Sequence, residues 1–406
     1  MGSTGSIKPL ADTALFKPLQ LGGIKLEHRV VLAPLTRMRS SKESDGVWAP
    51  NDLNVEYYSQ RASKGGLLLS EATPISRLAA GYPGVPGIFT KGQVAAWKKV
   101  TEAVHAKGAF IYCQLWHVGR ATIPSLLDGH RTVSSSDIPI KGKALDGSEY
   151  SDNPPKAMTE EDIVNIREEY AAAAKRAIEA GFDGVEIHGA NGYLLDQFLH
   201  DNVNVRTDSY GGSIENRARF PLEVIKAVTA AIGPERTGIR LSPFNYFQDT
   251  KDSDPMTHWA YVCEQIAAQA AESRLAYVHM VEPRYDEVLS EEAKLESLGA
   301  GKTTVKAVGA GASMNKPEFS LVPFSKILHG AGINVLAAGH YKADNALAPV
   351  EAGHLDAVVF GKWFISNPDL PRRLAEGLEL TQYDRSTFYG AATPSKGYTD
   401  YPSYSS

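Results

Sequence analysis

Three residues stand at a spacing suited to carbonyl chemistry: His188, Asn191 and Tyr193, in the run His188-Gly189-Ala190-Asn191-Gly192-Tyr193. A histidine and an asparagine three apart, following an apolar strand, can aim two N–H groups at one oxygen. If that oxygen is a carbonyl conjugated to a double bond, its polarisation lets the β-carbon accept hydride. Tyr193, with a reference pKa of about 10, is protonated at neutral pH and can give a proton to the α-carbon. The plainer alternative is a core histidine followed by an Asn-Gly turn. Arg240 ends an apolar run, so it must be paired or must face an anion, either a salt-bridge partner or a negatively charged ring. Gln114 has a donor and an acceptor suited to a pyrimidine-like edge, or it is a satisfied core amide. Thr36, two residues after Pro34, offers a hydroxyl to a ligand carbonyl or caps its own backbone. Gly339 and Gly361-Lys362 close two late strands, where backbone N–H groups and an ammonium suit a phosphate, or serve as ordinary turns.

These residues need elements to hold them. Short apolar runs recur at Val30–Ala33, Leu67–Ser70, Phe110–Leu115, Val185–His188, Gly238–Leu241, Tyr277–Val281, Val335–Ala338 and Ala357–Phe360. Near-continuous hydrophobicity predicts strands covered on both faces, hence parallel. Amphipathic helices are predicted over Val94–Ala106, Glu160–Ala180, Glu215–Ile232, Thr257–Glu272, Leu321–Leu328 and Ala343–Ala352. Thr159 and Ser213 read as N-caps, and Gly108, Gly181, Gly233 and Gly353 as stops. Strand–helix alternation repeated eight times predicts an α/β chain folded as a (β/α)8 TIM barrel. A doubly wound sheet would want Gly-x-Gly-x-x-Gly after the first strand; Ala33-Pro34-Leu35-Thr36-Arg37-Met38 stands there instead. Leu19–Arg29 reads as a hairpin closing the opposite end, and Arg120–Lys156 and Glu282–Phe319 as long loops on the C-terminal face. Residues 1–14 are expected as a flexible start and 15–406 as one domain.

In a barrel the reacting groups sit where strands end. The tips are Thr36, Ala72-Thr73, Gln114 with Trp116-His117, the His188–Tyr193 run, Arg240-Leu241-Ser242, Glu282, Gly339-His340 and Gly361-Lys362. Glu282 is the only obvious acid, which disfavours hydrolysis by paired carboxylates. No His-x-His or acid cluster accompanies His117 and His188, so no metal is expected. Lys362 lies in the phosphate region instead of inside the barrel, where a Schiff-base lysine would sit. What remains is donor-rich and suits a planar, phosphate-bearing cofactor and a carbonyl that must become an enolate.

The bulk numbers narrow the class. Hydrophobic residues make up 43% and charged residues 22%, enough apolar material for a large core. A net charge of -5 gives no electrostatic reason to expect nucleic acid. Two cysteines, Cys113 and Cys263, cannot make a disulfide framework and fit a reducing, cytoplasmic setting. No run of about eighteen apolar residues predicts a membrane span, and Met1–Pro9 is no secretory core. Met1-Gly2-Ser3-Thr4-Gly5-Ser6 matches a myristoylation pattern, or is a polar start and nothing more.

The motifs also carry a family likeness. Ala33-Pro34-Leu35-Thr36-Arg37-Met38-Arg39, Gln114-Leu115-Trp116-His117-Val118-Gly119-Arg120, the stretches Gly184–Leu195 and Arg206–Arg217, and Ser366-Asn367-Pro368-Asp369-Leu370 occur in order. With them the chain resembles the old yellow enzyme family of flavin-dependent enoate reductases, above all fungal members and the plant oxophytodienoate reductases. The resemblance implies a TIM barrel holding FMN tightly at its mouth, with NADPH or NADH as reductant in a ping-pong cycle. The substrates would be enones and enals, and phenols the inhibitors. It implies that Thr36 meets the flavin O4 region, Gln114 the pyrimidine edge and Arg240 the N1 and O2 side. The amides of Gly339, Gly361 and Lys362 would hold the phosphate, and Pro34, Leu35, Ala72 and His188 complete the cofactor set. His188 and Asn191 would grip the carbonyl, Tyr193 would donate the proton, and Trp116 and Tyr389 would wall the pocket. A monomer or homodimer without nucleic-acid or membrane partners is expected. Lys362 departs from the family's usual arginine and cannot make a bidentate fork, and His340 has no assigned role. The competing readings are an isomerase-like member of an alkaloid pathway, disfavoured because Tyr193 is present, and a flavin-binding barrel without turnover.

Overall fold

All eight apolar runs are strands of one closed parallel sheet. The computed structural model describes residues 7–286, 291–297 and 319–405. The strands are β1 (Val30–Leu32), β2 (Leu67–Leu69), β3 (Phe110–Trp116), β4 (Gly184–Gly189), β5 (Thr237–Leu241), β6 (Tyr277–Val281), β7 (Asn334–Ala338) and β8 (Ala357–Phe360). Each pairs in parallel with the next, and β8 returns to β1 through Val358↔Val30 and Phe360↔Leu32. A helix follows each strand: α1 (Asp52–Arg61), α2 (Lys91–His105), α3 (Glu160–Glu179), α4 (Ile214–Ile232), α5 (Pro255–Ala268), α6 (Val322–Gly330), α7 (Leu347–Glu351) and α8 (Leu370–Glu376). This is a (β/α)8 TIM barrel.

The local signals explain most boundaries. Thr159 caps α3 in a reciprocal box with Asp162, and Ser213 accepts from the Asn216 N–H at the start of α4. The stops at Gly108, Gly181, Gly233 and Gly353 all have positive φ. α2 begins earlier than its apolar pattern because Thr90 and Gln93 form a second capping box. The helix expected over Ala343–Ala352 shortens to α7, since Asn345 accepts from the Lys342 N–H and turns the chain first.

The lower, N-terminal end of the barrel is apolar. Val31, Leu67, Leu69, Tyr112, Leu336 and Ala357 fill it, and Leu21 and Leu26 of the antiparallel hairpin Leu19–Leu21/Ile24–Leu26 close it. Gly22 turns that hairpin at φ 51°, where a Cβ would strike Glu235 O and Ala276 Cβ. Outside, the strands pack on the helices through a larger cluster that includes Ile111, Val185, Ile239, Val278 and Val335.

The start of the chain differs from expectation. Residues 7–14 are docked on α8: the Leu10 N–H donates to Leu374 O at 3.0 Å, and Leu10 is buried. Composition could not show that these apolar side chains have a place to bury. Residues 1–6, with the myristoylation pattern, lie outside the described residues, as do 287–290 and 298–318 of the second long loop. Among the described residues no helix is long and apolar enough to cross a membrane.

Candidate active site

Parallel register brings the polar strand ends together. His188 on β4 pairs with Arg240 on β5, which pairs with His279 on β6. Side chains alternate along a strand, so Glu186 faces the interior with His188. Its carboxylate accepts from Gln114 Nε2 at 2.8 Å and from His279 Nδ1 at 2.9 Å, with all three side chains buried. Burial opposes ionisation of Glu186, but the His279 ring and the Arg240 charge outweigh it and hold the carboxyl below its usual range. Burial likewise pushes His279 down, so Nδ1 carries the proton that Glu186 accepts. Gln114 therefore gives one of its two amide N–H groups to Glu186 and keeps the other, with its carbonyl oxygen, for further partners.

Glu282, the only acid obvious at the tips from sequence, is not alone there. Glu282 accepts from the Tyr341 hydroxyl beside β7. Two further acids lie deeper, Glu186 and Glu71. Glu71 follows β2 and accepts from the Arg37 N–H and from Asn54 Nδ2, both at 3.3 Å. Burial pushes its carboxyl up to about 7 against those donations. The period-two rule applied to His188 would have found Glu186; nothing in the local pattern marks Glu71.

His188 is buried, and desolvation, reinforced by Arg240 and His279, drives its pKa well below 6.5. The neutral ring donates one N–H, and its Nδ1 has no hydrogen-bond partner among the described residues. Asn191 Oδ1, Trp116 Nε1 and Arg240 Nε are buried in the same condition. Arg240 makes no direct ion pair among the described residues; its charge acts on the buried Glu186 carboxyl instead.

Tyr193 meets His188 edge-on at 5.1 Å between ring centroids and Trp116 at 4.9 Å. Trp116 in turn stacks on Tyr82 at 5.6 Å. Ala72, Val85, Trp116 and Val118 form a separate buried cluster against which Met38, Tyr82 and Tyr193 pack. Tyr82 lies in the loop between β2 and α2, where no periodicity marks it. Its hydroxyl donates to Ala121 O at 2.9 Å and also bonds Tyr193. Tyr82 has a single proton and gives it to Ala121, so Tyr193 is the donor in that second bond.

Tyr389 is 67% exposed at the rim. The segment that carries it is clamped to the tip of β1. Arg37 donates to the carbonyls of Thr387, Phe388 and Gly397, and Arg39 to those of Thr387, Phe388, Pro394 and Lys396. Pro34, Leu35 and Thr36 immediately precede this clamp.

The tips of β7 and β8 gather positive charge. Gly339 has φ 135°, and a Cβ there would come within 2.6 Å of Glu282 Cβ, so the fold itself requires glycine. Gly361 differs: a Cβ would meet nothing closer than Leu35 Cδ2 at 3.5 Å, so its small size is free to admit a ligand. His340 has a left-handed backbone at φ 53°. Desolvation first, then Lys362, Arg284, Lys342 and Arg385, push its pKa down to about 4. These groups fit an anion such as a phosphate.

A family model described as NADH:flavin oxidoreductase / NADH oxidase matches residues 14–381. The chain is 63% identical over 398 residues to flavin oxidoreductase hxnT of Emericella nidulans, covering 98% of this chain and 99% of that one. It is 44% identical over 393 residues to 12-oxophytodienoate reductase 1 of Oryza sativa, covering 97% and 93%. A solved structure of morphinone reductase in complex with tetrahydroNAD superposes with a TM-score of 0.80 at 41% identity, covering 96% and 98%. The chain belongs to the NADH:flavin oxidoreductase / NADH oxidase family and is a flavin- and nicotinamide-dependent oxidoreductase of the old yellow enzyme type.

Proposed function

We propose that this protein is an FMN-dependent ene-reductase that draws hydride from NADPH, or from NADH, and saturates the carbon–carbon double bond of enones and enals. The observation that carries this reading is a buried, neutral His188 set edge-on to Tyr193, with Asn191 Oδ1 buried and unpartnered among the described residues in the turn between them. Bound there, the flavin supplies the hydride that reaches the β-carbon. His188 and Asn191 donate to the carbonyl oxygen and stabilise the negative charge that develops on it. Tyr193 gives its hydroxyl proton to the α-carbon, turning away from Tyr82 to do so. Trp116 and Tyr82 exclude water along one wall, and Tyr389 stands at the entrance.

The residues that would hold the cofactor are those to which the strand tips and the family resemblance point. Thr36 would meet O4, and Pro34, Leu35 and Ala72 would line the ring. Gln114 would offer its carbonyl oxygen to the pyrimidine edge, where an N–H is available. Arg240 would face N1 and O2 and favour negative charge there. Gly339, Gly361 and Lys362 would take the phosphate.

Anaerobic protein should bleach on addition of NADPH and recover its yellow colour with an enone, forming one equivalent of saturated product. Recovery by oxygen alone, or an enone rearranged without net consumption of NADPH, would count against the reading and for a non-reducing or isomerising one.

A further inference from the structure

The turn that carries Asn191 and Tyr193 is held from behind by the short helix Leu194–Leu199. Asn191 and Gly192 are both left-handed, with φ of 58° and 75°. Gly192 has no room for a side chain, since a Cβ would lie 2.7 Å from Phe247 O. The turn leaves two successive backbone N–H groups that need acceptors. Both acceptors are internal. The Gly192 N–H donates to Asp196 Oδ2 at 2.8 Å, and the Asn191 N–H donates to Ser242 Oγ at 2.8 Å. Ser242 closes the set by donating to the same Asp196 Oδ2 at 3.3 Å. The Gly192 carbonyl is fixed as well, accepting from Gln197 Nε2 at 2.8 Å. Asp196 is fully buried, and its Oδ1 lies 3.2 Å from His200 Nε2.

We infer that Asp196, through Ser242, is a positioning residue that sets where Asn191 aims its amide and where Tyr193 presents its hydroxyl. It touches neither substrate nor cofactor; it fixes both N–H groups of the turn between them. The inference rests on the roles proposed above for Asn191 and Tyr193, and its test keeps the two separable. A second left-handed pair, Gln248 and Asp249 at φ 61° and 57°, lies against the same turn, and Arg120 Nη2 donates to both of their carbonyls. The turn is thus packed from behind by a segment that Arg120 ties down.

The test is a set of FMN-loaded variants read by stopped-flow reoxidation with an enone, by phenol affinity and by thermal midpoint. Asp196→Ala should slow enone-driven reoxidation roughly tenfold or more and weaken phenol binding comparably, the worth of a hydrogen bond to a charged group. Asp196→Asn keeps an oxygen for Gly192 and a donor for His200 Nε2, and should stay within about threefold of the parent. In a Tyr193→Phe background the Asp196→Ala factor should shrink at least about threefold, because the group it positions is already lost. An undiminished factor in that background, or equal losses for Asp196→Asn and Asp196→Ala, would overturn the proposal. If Asp196→Ala does not fold, Ser242→Ala removes the acceptor of the Asn191 N–H and should show the same coupling to Tyr193; no coupling overturns the proposal equally. A Tyr193→Phe change without effect would instead sink the proposed role of Tyr193 itself.

Discussion

The two ends of the barrel interior are buried to nearly the same degree and built from opposite chemistry. Below, Val31, Leu67, Leu336 and Ala357 close on one another and on Leu21 and Leu26 of the hairpin, and the cluster is apolar apart from the hydroxyls of Tyr112 and Tyr277. Above, Gln114, Glu186, His188, Arg240 and His279 occupy the next layer, at 7% exposure or less. Some of their polar atoms pair within the layer, while His188 Nδ1, Arg240 Nε and His279 Nε2 have no partner among the described residues. Leaving buried donors and acceptors unmade costs free energy. A fold bears such a cost where a ligand completes the set, and the apolar end below supplies the stability that permits it. Conservation of a residue at the lower end would speak of folding, and at the upper end of chemistry.

Mutations at either end can break or sharpen that contrast. The largest effect is expected from Tyr193→Phe, which should slow enone-driven reoxidation by roughly 10²–10⁴ while leaving flavin content and thermal midpoint unchanged. Leu21→Ala should do the reverse. It should lower unfolding free energy by about 2–5 kcal/mol, measured by denaturant titration, with reoxidation per folded molecule unaltered. Asn191→Ala should cost about 2.7–4 kcal/mol at the transition state and weaken phenol binding. Because Asn191 sits at φ 58°, Asn191→Gly run beside it removes the same amide without straining a Cβ and should give a matching loss.

The lower end has a pH signature of its own. His28 accepts from the Val30 N–H at Nδ1 and bonds Ser63 Oγ at 2.9 Å. Burial pushes its pKa down from 6.5 to about 4. A depressed folded pKa contributes stability that is complete above about 6.5 and is lost as pH falls toward 4, on the order of 3 kcal/mol in all. Denaturation midpoints should fall across that window, and His28→Gln should flatten the slope. The smallest effect belongs to the phosphate end. Lys362→Ala should raise the FMN dissociation constant roughly tenfold, read by fluorescence quenching of stripped protein, whereas Lys362→Arg should hold or tighten it. An alanine variant that binds FMN as tightly as the parent would place the phosphate elsewhere.

What the sequence disclosed follows the same division. Strands covered on both faces are continuous apolar runs, so all eight could be read. α1 could not, because its buried face is Asn54, Tyr57, Tyr58 and Arg61. Arg61 donates to the carbonyls of Phe364 and Ile365, and Asn54 Nδ2 to the Tyr398 hydroxyl. Partners more than 300 residues away satisfy that face, and no local pattern announces them. His188, Asn191 and Tyr193 were legible because one turn spaces them. Tyr82 and Glu71 reach the site only through tertiary packing, and Asp196 resembles any helical acid until its distance to Gly192 is known.

The Arg37 and Arg39 clamp bears on how the chain is made. Thr387 is synthesised 350 residues after Arg37, and Gly397 360 residues after it. Until that stretch leaves the ribosome, the guanidinium at the tip of the first strand has none of its carbonyl acceptors, and a buried arginine without partners is strongly disfavoured. The hairpin end shares that delay in part: Leu21, Leu26, Val31 and Leu67 lie in the first fifth of the chain, but Leu336 and Ala357 of the same cluster are made near its end. The mouth is finished last. Both ends of the barrel therefore wait on late segments, the base for β7 and β8 and the rim for the stretch from Thr387 to Gly397.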